Sequence, residues 1–186
     1  MIIFDLDSLA NNEHRRHFIE KPWDCCNKCY TMLKVGYEYP EGCECGRNPF
    51  TWKEDYKAYN EACDKDEPIR EVNDIYYTIN YAGRDEIFIW SSRNIYFKVN
   101  TETWLTNNDI YCDENVLKMR PIDDNSPQEQ LFERWLDELI KNDRETYDIA
   151  NRIPKYPVDF VFSSHKKTIE MFRRRGVFVF DCNQGE

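Results

Sequence analysis

Long apolar runs and an excess of basic residues are both missing from this sequence. No stretch approaches the roughly 20 apolar residues that a membrane-spanning helix needs, and no basic leader precedes an apolar segment near residue 1. The 186 residues include 25 Lys and Arg against 35 Asp and Glu, so the net charge is -10. We therefore expect a soluble, intracellular protein with no membrane partner and without a broad basic surface for nucleic acid.

Internal repeats and low-complexity linkers are missing as well, which favours a single folded domain. A chain of 186 residues is long enough to build one hydrophobic core. Its cysteine-rich segment 22–51 is too short to fold without a metal or a disulfide. We therefore predict one core domain, residues 1–21 and 52–186, interrupted by an insertion at 22–51.

The sequence does contain a series of short apolar runs, separated by segments with helical spacing. The runs are 2–6, 87–90, 116–119, 158–162 and 177–180. Helical spacing covers 96–107 and 127–142, and Ser126 with Pro127 is a favourable start for the second helix. Because each run is nearly all apolar rather than alternating, we expect strands buried on both faces. This pattern predicts an α/β fold with a doubly wound, Rossmann-like, parallel five-stranded sheet.

Polar residues follow three of these runs. Asp5 and Asp7 close the first, 91–93 follow the second and 163–167 follow the fourth. Ligands bind at the carboxyl ends of strands in such sheets, so we expect these residues to converge on one rim. An Asp pair there can supply a nucleophilic carboxylate and a proton donor to a phosphoryl group, usually with magnesium. The alternative is a hydrogen-bonded loop anchor.

Four cysteines form a second candidate site. Cys26 and Cys29 make one half of it and Cys43 and Cys45 the other, with thirteen residues between the halves. Since no export signal is seen, the reducing compartment favours thiolates on a metal over disulfides. Four sulfurs at this spacing predict a closed tetrahedral zinc site, which is structural because no coordination position stays open. Cys25 can replace Cys26 in this set, and unliganded thiols are the alternative.

Several motifs share their order and spacing with one known family. They are DLDSLA at 5–10, HRRH at 14–17, IWSSR at 89–93, LKMRP at 117–121 and FRRRGV at 172–177. This series resembles the haloacid dehalogenase (HAD) superfamily, and within it the bacteriophage phosphatases similar to the 3'-phosphatase domain of polynucleotide kinase. The resemblance covers most of the chain outside 22–51. It implies a HAD-like sheet, a viral origin and, as localisation, the host cytoplasm during infection.

The resemblance also implies roles for the residues at the rim. Asp5 would be the nucleophile, Asp7 the general acid/base and Ser91 the hydroxyl that binds phosphate. Arg93 and Arg120 would contact substrate. Magnesium would be the cofactor of an active enzyme.

Three departures from the family pattern weaken this site. Residues 8–9 read Ser-Leu where the family has Gly-Thr, Phe132 aligns with its phosphate-neutralising lysine, and 163–165 read Ser-Ser-His in place of an acidic pair followed by arginine. The acids that hold magnesium are therefore missing. Lys166 or Lys167 is the candidate for a replacement positive charge.

Two carboxylates that lack a metal between them also repel each other. At about 4 Å and an effective dielectric constant near 20, the repulsion is roughly 4 kcal/mol, or about three pKa units on one group. We expect one of Asp5 and Asp7 to stay protonated and to be a poor nucleophile.

The last predicted helix carries residues with two interpretations each. His165 is expected to cap the helix or to lie on the surface, and catalysis is the alternative. The arginines at 173–175 are expected to form a solvated helix end, where cations complement the helix dipole. A narrow basic strip that contacts phosphate is their alternative.

The sequence leads to hypotheses from two classes of function. The first is a catalytically impaired phosphatase fold, a pseudophosphatase, which binds a protein partner through its zinc-stapled flap and its strand-end rim. The second is an active magnesium-dependent phosphomonoesterase that acts on a nucleic-acid 3'-phosphate or a nucleotide through an aspartyl-phosphate on Asp5. A third hypothesis is a domain that binds a phosphorylated ligand without cleaving it.

Overall fold

The structure, a computed structural model, describes residues 1–19, 56–83, 86–110, 116–146 and 158–182. The chain divides into two compact units, one made of Met1–Asn11 with Glu67–Glu186 and the other of Asn12–Asp66. The predicted insertion 22–51 lies outside the described residues, and with it Cys25, Cys26, Cys29, Cys43 and Cys45. The zinc site and the predicted domain boundaries therefore stay predictions.

In its described residues, the first unit contains seven strands, and five of them form one sheet. The strands are β1 (Ile2–Asp5), β2 (Ala10–Asn11), β3 (Glu67–Pro68), β4 (Ile87–Asn94), β5 (Leu117–Arg120), β6 (Phe160–Ser163) and β7 (Phe178–Asp181). Five of them form one sheet in the order β5-β4-β1-β6-β7, and every neighbouring pair is parallel. The predicted Rossmann-like parallel five-stranded sheet is confirmed. β2 and β3 form a separate antiparallel pair, which the apolar pattern does not predict.

Helices join the strands. They are α1 (Leu6–Leu9), α2 (Tyr56–Glu61, in the second unit), α3 (Arg70–Ala82), α4 (Lys98–Asn107), α5 (Gln128–Thr146) and α6 (Lys166–Arg174). A turn of 3-10 helix, Ile95–Phe97, leads into α4. α3 is capped at its C-terminus by Gly83, whose φ of 61° lies in the left-handed region that glycine adopts without steric cost. Within the described ranges, no helix is both long and apolar enough to span a membrane.

The two faces of the sheet carry separate clusters of buried side chains. Ile2 and Phe4 of β1 belong to one cluster, together with residues of α3 and α4. Ile3 belongs to the other, together with residues of α5 and α6. Successive side chains of a strand point to opposite faces, so a strand covered on both sides must be apolar throughout. This explains the apolar run of the central strand β1, whereas the outer strands differ, since Lys118 of β5 is half-buried and Phe178 of β7 is exposed.

A buried ion pair lies in the second unit. Arg15 donates to both carboxylate oxygens of Asp66, at 2.6 and 2.8 Å, and neither side chain is exposed to solvent. The Arg15 guanidinium also lies 4.0 Å from the ring centre of Tyr59. A bidentate pair of this kind is among the strongest hydrogen-bonded contacts in proteins. It joins the 3-10 turn Glu13–Phe18 to the residue that ends this unit.

Candidate functional site

Asp5 is the last residue of β1 and the N-cap of α1, and its side chain is buried. Its Oδ2 accepts hydrogen bonds from the Ser163 hydroxyl and from the Gln128 amide, each at 2.8 Å. Its Oδ1 accepts the backbone N–H of Asp7 at 3.4 Å. Within the part of the chain that the structure describes, the donors to this carboxyl group are therefore all neutral.

The environment of Asp5 favours its protonated form. Burial raises the pKa of Asp5 from 3.8 to about 8, and the negative charge of Asp7 is the second cause. The hydrogen bonds from Ser163, from the Asp7 N–H and from Gln128 lower the pKa and offset only part of this rise. Asp5 is thus mostly uncharged at neutral pH. The sequence pointed to repulsion between the two carboxylates, whereas desolvation is the larger cause.

Asp7 lies in a different environment, in the first turn of α1. Its side chain is about one quarter exposed, and its Oδ1 lies 3.7 Å from an Nη of the buried Arg93. The Arg93 backbone N–H donates to the Ser91 hydroxyl at 3.1 Å. The Ser164 hydroxyl donates to the Asp7 carbonyl at 3.0 Å. The ends of β1, β4 and β6 therefore bring Asp7 and Arg93 together, as the strand positions predict.

Arg120, the last residue of β5, contacts the polypeptide chain itself. Its guanidinium donates to the carbonyls of Ser92 at 2.6 Å and of Ser126 at 2.5 Å. It also lies 3.6 Å from the Asp124 carboxylate, which in turn pairs with Arg134. The residue that the resemblance assigns to substrate thus braces the loop between β5 and α5.

Gln128 is a site residue that the sequence did not single out. It is the first residue of α5, and its side chain reaches Asp5 across 123 positions of sequence. The resemblance drew attention to Phe132, one helical turn further along. The available signal was position alone, because the first turn of a helix that follows a strand lies at the carboxyl edge of the sheet.

Phe132 occupies the helix position that the resemblance assigns to a lysine. Its side chain is fully buried. The ring packs edge-to-face on Trp90 at 5.4 Å and stacks on Trp135 at 5.3 Å between centroids. The position belongs to the hydrophobic core on the α5 side of the sheet rather than to the rim.

The start of α6 is capped by His165. Its Nδ1 lies 3.3 Å from the Thr168 backbone N–H and 2.8 Å from the Thr168 hydroxyl. The capping interpretation of His165 is confirmed, since the imidazole satisfies a donor of the first turn. Lys166, the next residue, is exposed on the first turn of α6, where its predicted substrate contact stays a prediction.

The basic end of α6 faces acidic residues of α5. Arg174 lies 3.3 Å from Glu133, and Arg175 lies 3.2 Å from Glu133 and 2.5 Å from Asp137. These pairs offset the positive charge within the protein. The arrangement favours the helix-end interpretation over a basic strip for phosphate.

The residues around Asp5 and Asp7 do not fit a magnesium ion. Magnesium takes oxygen ligands in octahedral geometry, but Asp5 Oδ2 is occupied by two hydrogen-bond donors, which a cation would repel. The Arg93 guanidinium already faces Asp7. Among the residues that the structure describes, no group of three or more His, Cys, Asp or Glu side chains is arranged to hold a metal.

Comparison with known proteins finds solved structures of similar fold but assigns the chain to no family. No protein-family model matches the sequence, and no curated protein matches it. Among solved structures, the chain is similar to a chain in a "Pnkp1/Rnl/Hen1 complex", with a TM-score of 0.58 and 17% identity over 100% of this chain and 46% of that one. A chain in the "Pnkp1/Rnl/Hen1 RNA repair complex" gives a TM-score of 0.52 and 16% identity over 97% and 41%.

The present chain spans less than half the length of either of these two chains. At such low identity the similarity concerns the fold alone. The described part of this chain therefore has an α/β architecture that recurs within larger proteins of a multi-protein assembly.

Proposed function

We propose that this protein is a phosphatase-like domain of the HAD type that has lost catalysis and acts as a binding module. The observation that carries this proposal is the state of Asp5. Its carboxyl is buried, bound by the Ser163 hydroxyl and the Gln128 amide, and has a pKa raised to about 8. A protonated carboxyl is a poor nucleophile, so at neutral pH the first step of an aspartyl-phosphate mechanism has only a small fraction of its attacking group ionised.

The positive charges near Asp5 support the same proposal. Arg93 faces Asp7 at 3.7 Å, and Arg120 donates to three backbone carbonyls. Phosphoryl transfer needs cations placed against the charge that develops on the phosphate. Here Arg120 donates hydrogen bonds to acceptors of the protein, Arg93 forms an ion pair with Asp7, and an aromatic ring replaces the lysine at position 132.

The biological setting that we propose is a protein assembly that handles nucleic-acid ends. The resemblance to polynucleotide kinase 3'-phosphatases and the similarity to chains in RNA repair complexes both support it. Within such an assembly, a module without turnover would contribute binding rather than chemistry. A protein partner is the first choice, because the net charge of -10 opposes extended contact with nucleic acid.

An active phosphomonoesterase is the second candidate. Asp5, Asp7 and Ser91 all lie at the ends of β1 and β4, which favours it. In that case Asp5 would attack phosphorus after losing its proton, and Asp7 would protonate the leaving oxygen. Activity would then rise with pH as Asp5 ionises around its pKa of about 8.

Phosphate release decides between the two candidates. Wild-type protein and an Asp5→Asn variant are incubated with magnesium and either a generic phosphomonoester or an oligonucleotide 3'-phosphate, below and above pH 8. We expect both proteins to match the buffer background under all conditions. Turnover by the wild type that the Asp5→Asn change abolishes would end the proposal.

The zinc site is also part of the proposal. Cys26, Cys29, Cys43 and Cys45 would hold about one zinc ion per chain, as expected for a structural four-cysteine site. Metal analysis of gently purified protein should find this zinc, and a Cys43→Ser variant should lose it while the sheet stays folded. Protein purified without any bound zinc would contradict this part of the proposal.

A further inference from the structure

A largely apolar groove lies between α3 and the end of β7, and the proposed function does not use it. Its volume is about 520 Å³. Ile75, Phe162 and Phe180 are among the apolar side chains that line it, and Glu71 and Asp181 are its acidic lining residues. All of these residues belong to the first compact unit.

Phenylalanines of β6 and β7 extend this groove into an exposed aromatic surface. Phe180 stacks on Phe162 at 4.7 Å, and Phe162 stacks on Phe4 at 4.5 Å, so the surface continues the core. Phe178 is 60% exposed, Phe180 42% and Phe160 41%. β7 ends the order of the described strands in the sheet. Large aromatic rings clustered in this way on a surface mark an interaction site more often than scattered apolar residues do.

The charges around the groove decide what kind of partner fits it. Its described lining contains two acidic residues and no Lys or Arg; Arg70 precedes Glu71 in sequence but does not line the groove. Acidic residues repel phosphate groups, which disfavours nucleic acid and anionic lipid. In a two-fold dimer the same patch meets itself, so two linings that hold acidic residues and no Lys or Arg would be brought together. A second copy of this chain is therefore disfavoured as well.

We propose that this groove binds a segment of a partner protein that carries apolar side chains flanked by Lys or Arg. The apolar side chains would fill the groove beside Phe162 and Phe180, and the basic residues would pair with Glu71 and Asp181. This inference rests on the proposed function, because it assigns the partner surface of the binding module. It places the partner surface on α3 and the end of β7, next to the strand-end rim, because Asp181 is the register partner of Ser163.

Three synthetic peptides test the chemistry of the partner. They share one apolar centre of Phe and Leu and differ only in their flanks, which are lysine, glutamine or glutamate. Affinities are measured by calorimetric titration of the full chain. We expect the lysine peptide to bind most tightly and the glutamate peptide most weakly, with the preference decreasing as salt is added.

Variants of the groove identify the surface. Phe180→Ser removes an apolar anchor and should lower the affinity for the lysine peptide by about thirtyfold, which is the effect of losing a strong interface contact. Glu71→Lys combined with Asp181→Lys should reverse the order of the lysine and glutamate peptides. Tyr81→Ser is the control, because Tyr81 is 96% exposed on the last turn of α3 and does not line the groove. It should change no affinity.

Each other outcome overturns the inference. Equal affinity for the three peptides, no binding by any of them, or binding that survives Phe180→Ser would remove the basic partner from this groove. Sedimentation that shows a dimer abolished by Phe178→Ser would assign the surface to a second copy instead. Peptide affinity is measured independently of phosphate release. Turnover that depends on Asp5 would therefore end the proposed function without changing the peptide affinities, which test the groove by themselves.

Discussion

The two halves of the strand-end rim differ in how their charges are satisfied. On the β1 and β6 side, the buried carboxyl of Asp5 meets only neutral partners, the Ser163 hydroxyl and the Gln128 amide. On the β4 and β5 side, the arginines meet acceptors of the protein itself, Asp7 for Arg93 and backbone carbonyls for Arg120. Among the described residues, one half therefore holds an acid bound by neutral donors, and the other holds Arg120 bound to backbone carbonyls and Arg93 paired with Asp7.

This difference explains how a phosphatase-like fold can keep its carboxylates and lose its chemistry. A phosphoryl group needs an ionised nucleophile and cations directed at the same point. Burial keeps Asp5 protonated, and the loop that follows β5 takes up Arg120. The four changes below test each half separately, from the largest expected effect to the smallest.

Restoring at position 132 the cation that the resemblance implies should fail. Phe132→Lys puts a charge among the rings of Trp90 and Trp135 and should lower the free energy of unfolding by about 4 kcal/mol or more. Phe132→Leu keeps the site apolar and should cost less than about 1.5 kcal/mol. Urea denaturation measures both. A stable Phe132→Lys protein would mean that position 132 still accepts the positive charge of the family's lysine.

The protonation of Asp5 predicts how stability depends on pH. Because the pKa is about 8 in the folded protein and 3.8 as the ordinary value, the folded state holds one more proton than the unfolded state between these limits. Stability therefore falls as pH rises through this window and is lower above pH 8. The fall should be a few kcal/mol, since one pKa unit is worth about 1.4 kcal/mol.

The Asp5→Asn variant isolates this effect, because it removes the titrating group and keeps the shape. The difference in unfolding free energy between wild type and variant should decrease from acidic to alkaline pH, as measured by urea denaturation across the range. A difference that stays constant with pH would show that Asp5 is ionised in the folded protein. The contrast between the two halves of the rim would then disappear.

The bracing role of Arg120 can be removed from the other half. Arg120→Met leaves the carbonyls of Ser92 and Ser126 without their donor and should destabilise the protein by about 2 kcal/mol. Arg120→Lys restores a charge without the planar fork and should recover only part of this loss. Hydrogen exchange of the backbone amides at 122–126, between the two prolines, should speed up in the Met variant. Unchanged exchange rates would contradict the bracing role of Arg120 and would favour a contact of Arg120 with a ligand instead.

Removing one hydrogen bond from Asp5 should have the smallest effect. Ser163→Ala should cost about 1 kcal/mol and should raise the pKa of Asp5 further, because the Ser163 hydroxyl lowers it. Carbon NMR of the carboxyl measures this titration. Ser164→Ala is the control, since the Ser164 hydroxyl donates to the Asp7 carbonyl and not to Asp5. Equal shifts in both variants would contradict the assigned hydrogen bonds.

Much of the fold was predictable because its signals are local. The run at 2–6 and the four later runs became the strands of one parallel sheet, since a strand with covered faces on both sides needs apolar residues at every position. The run at 158–162 shifted only slightly, to Phe160–Ser163. β2 and β3 were missed because two residues per strand leave no periodic pattern to read.

The candidate site was predictable in its members but less so in their contacts. Asp5, Ser91 and Ser163 follow apolar runs, so the sheet places them at one edge. Gln128 has no motif, and only the packing of α5 brings it to Asp5. Arg120 matches the position that the family uses to bind substrate. A backbone carbonyl in the loop after β5 nevertheless accepts a hydrogen bond from its guanidinium.

The sequence alone determined the parallel α/β sheet and the polar residues at its strand ends, because hydrophobic periodicity is a local property of the chain, whereas the order of the strands came from the tertiary structure. Only the tertiary structure decided the protonation of Asp5, the hydrogen bonds of Arg120 to backbone carbonyls, and the largely apolar groove beside β7 with its two acidic lining residues. Each of these depends on desolvation or on contacts between distant segments. Such terms exist only once the chain has packed, since burial changes the free energy of a charge by the side chains that surround it.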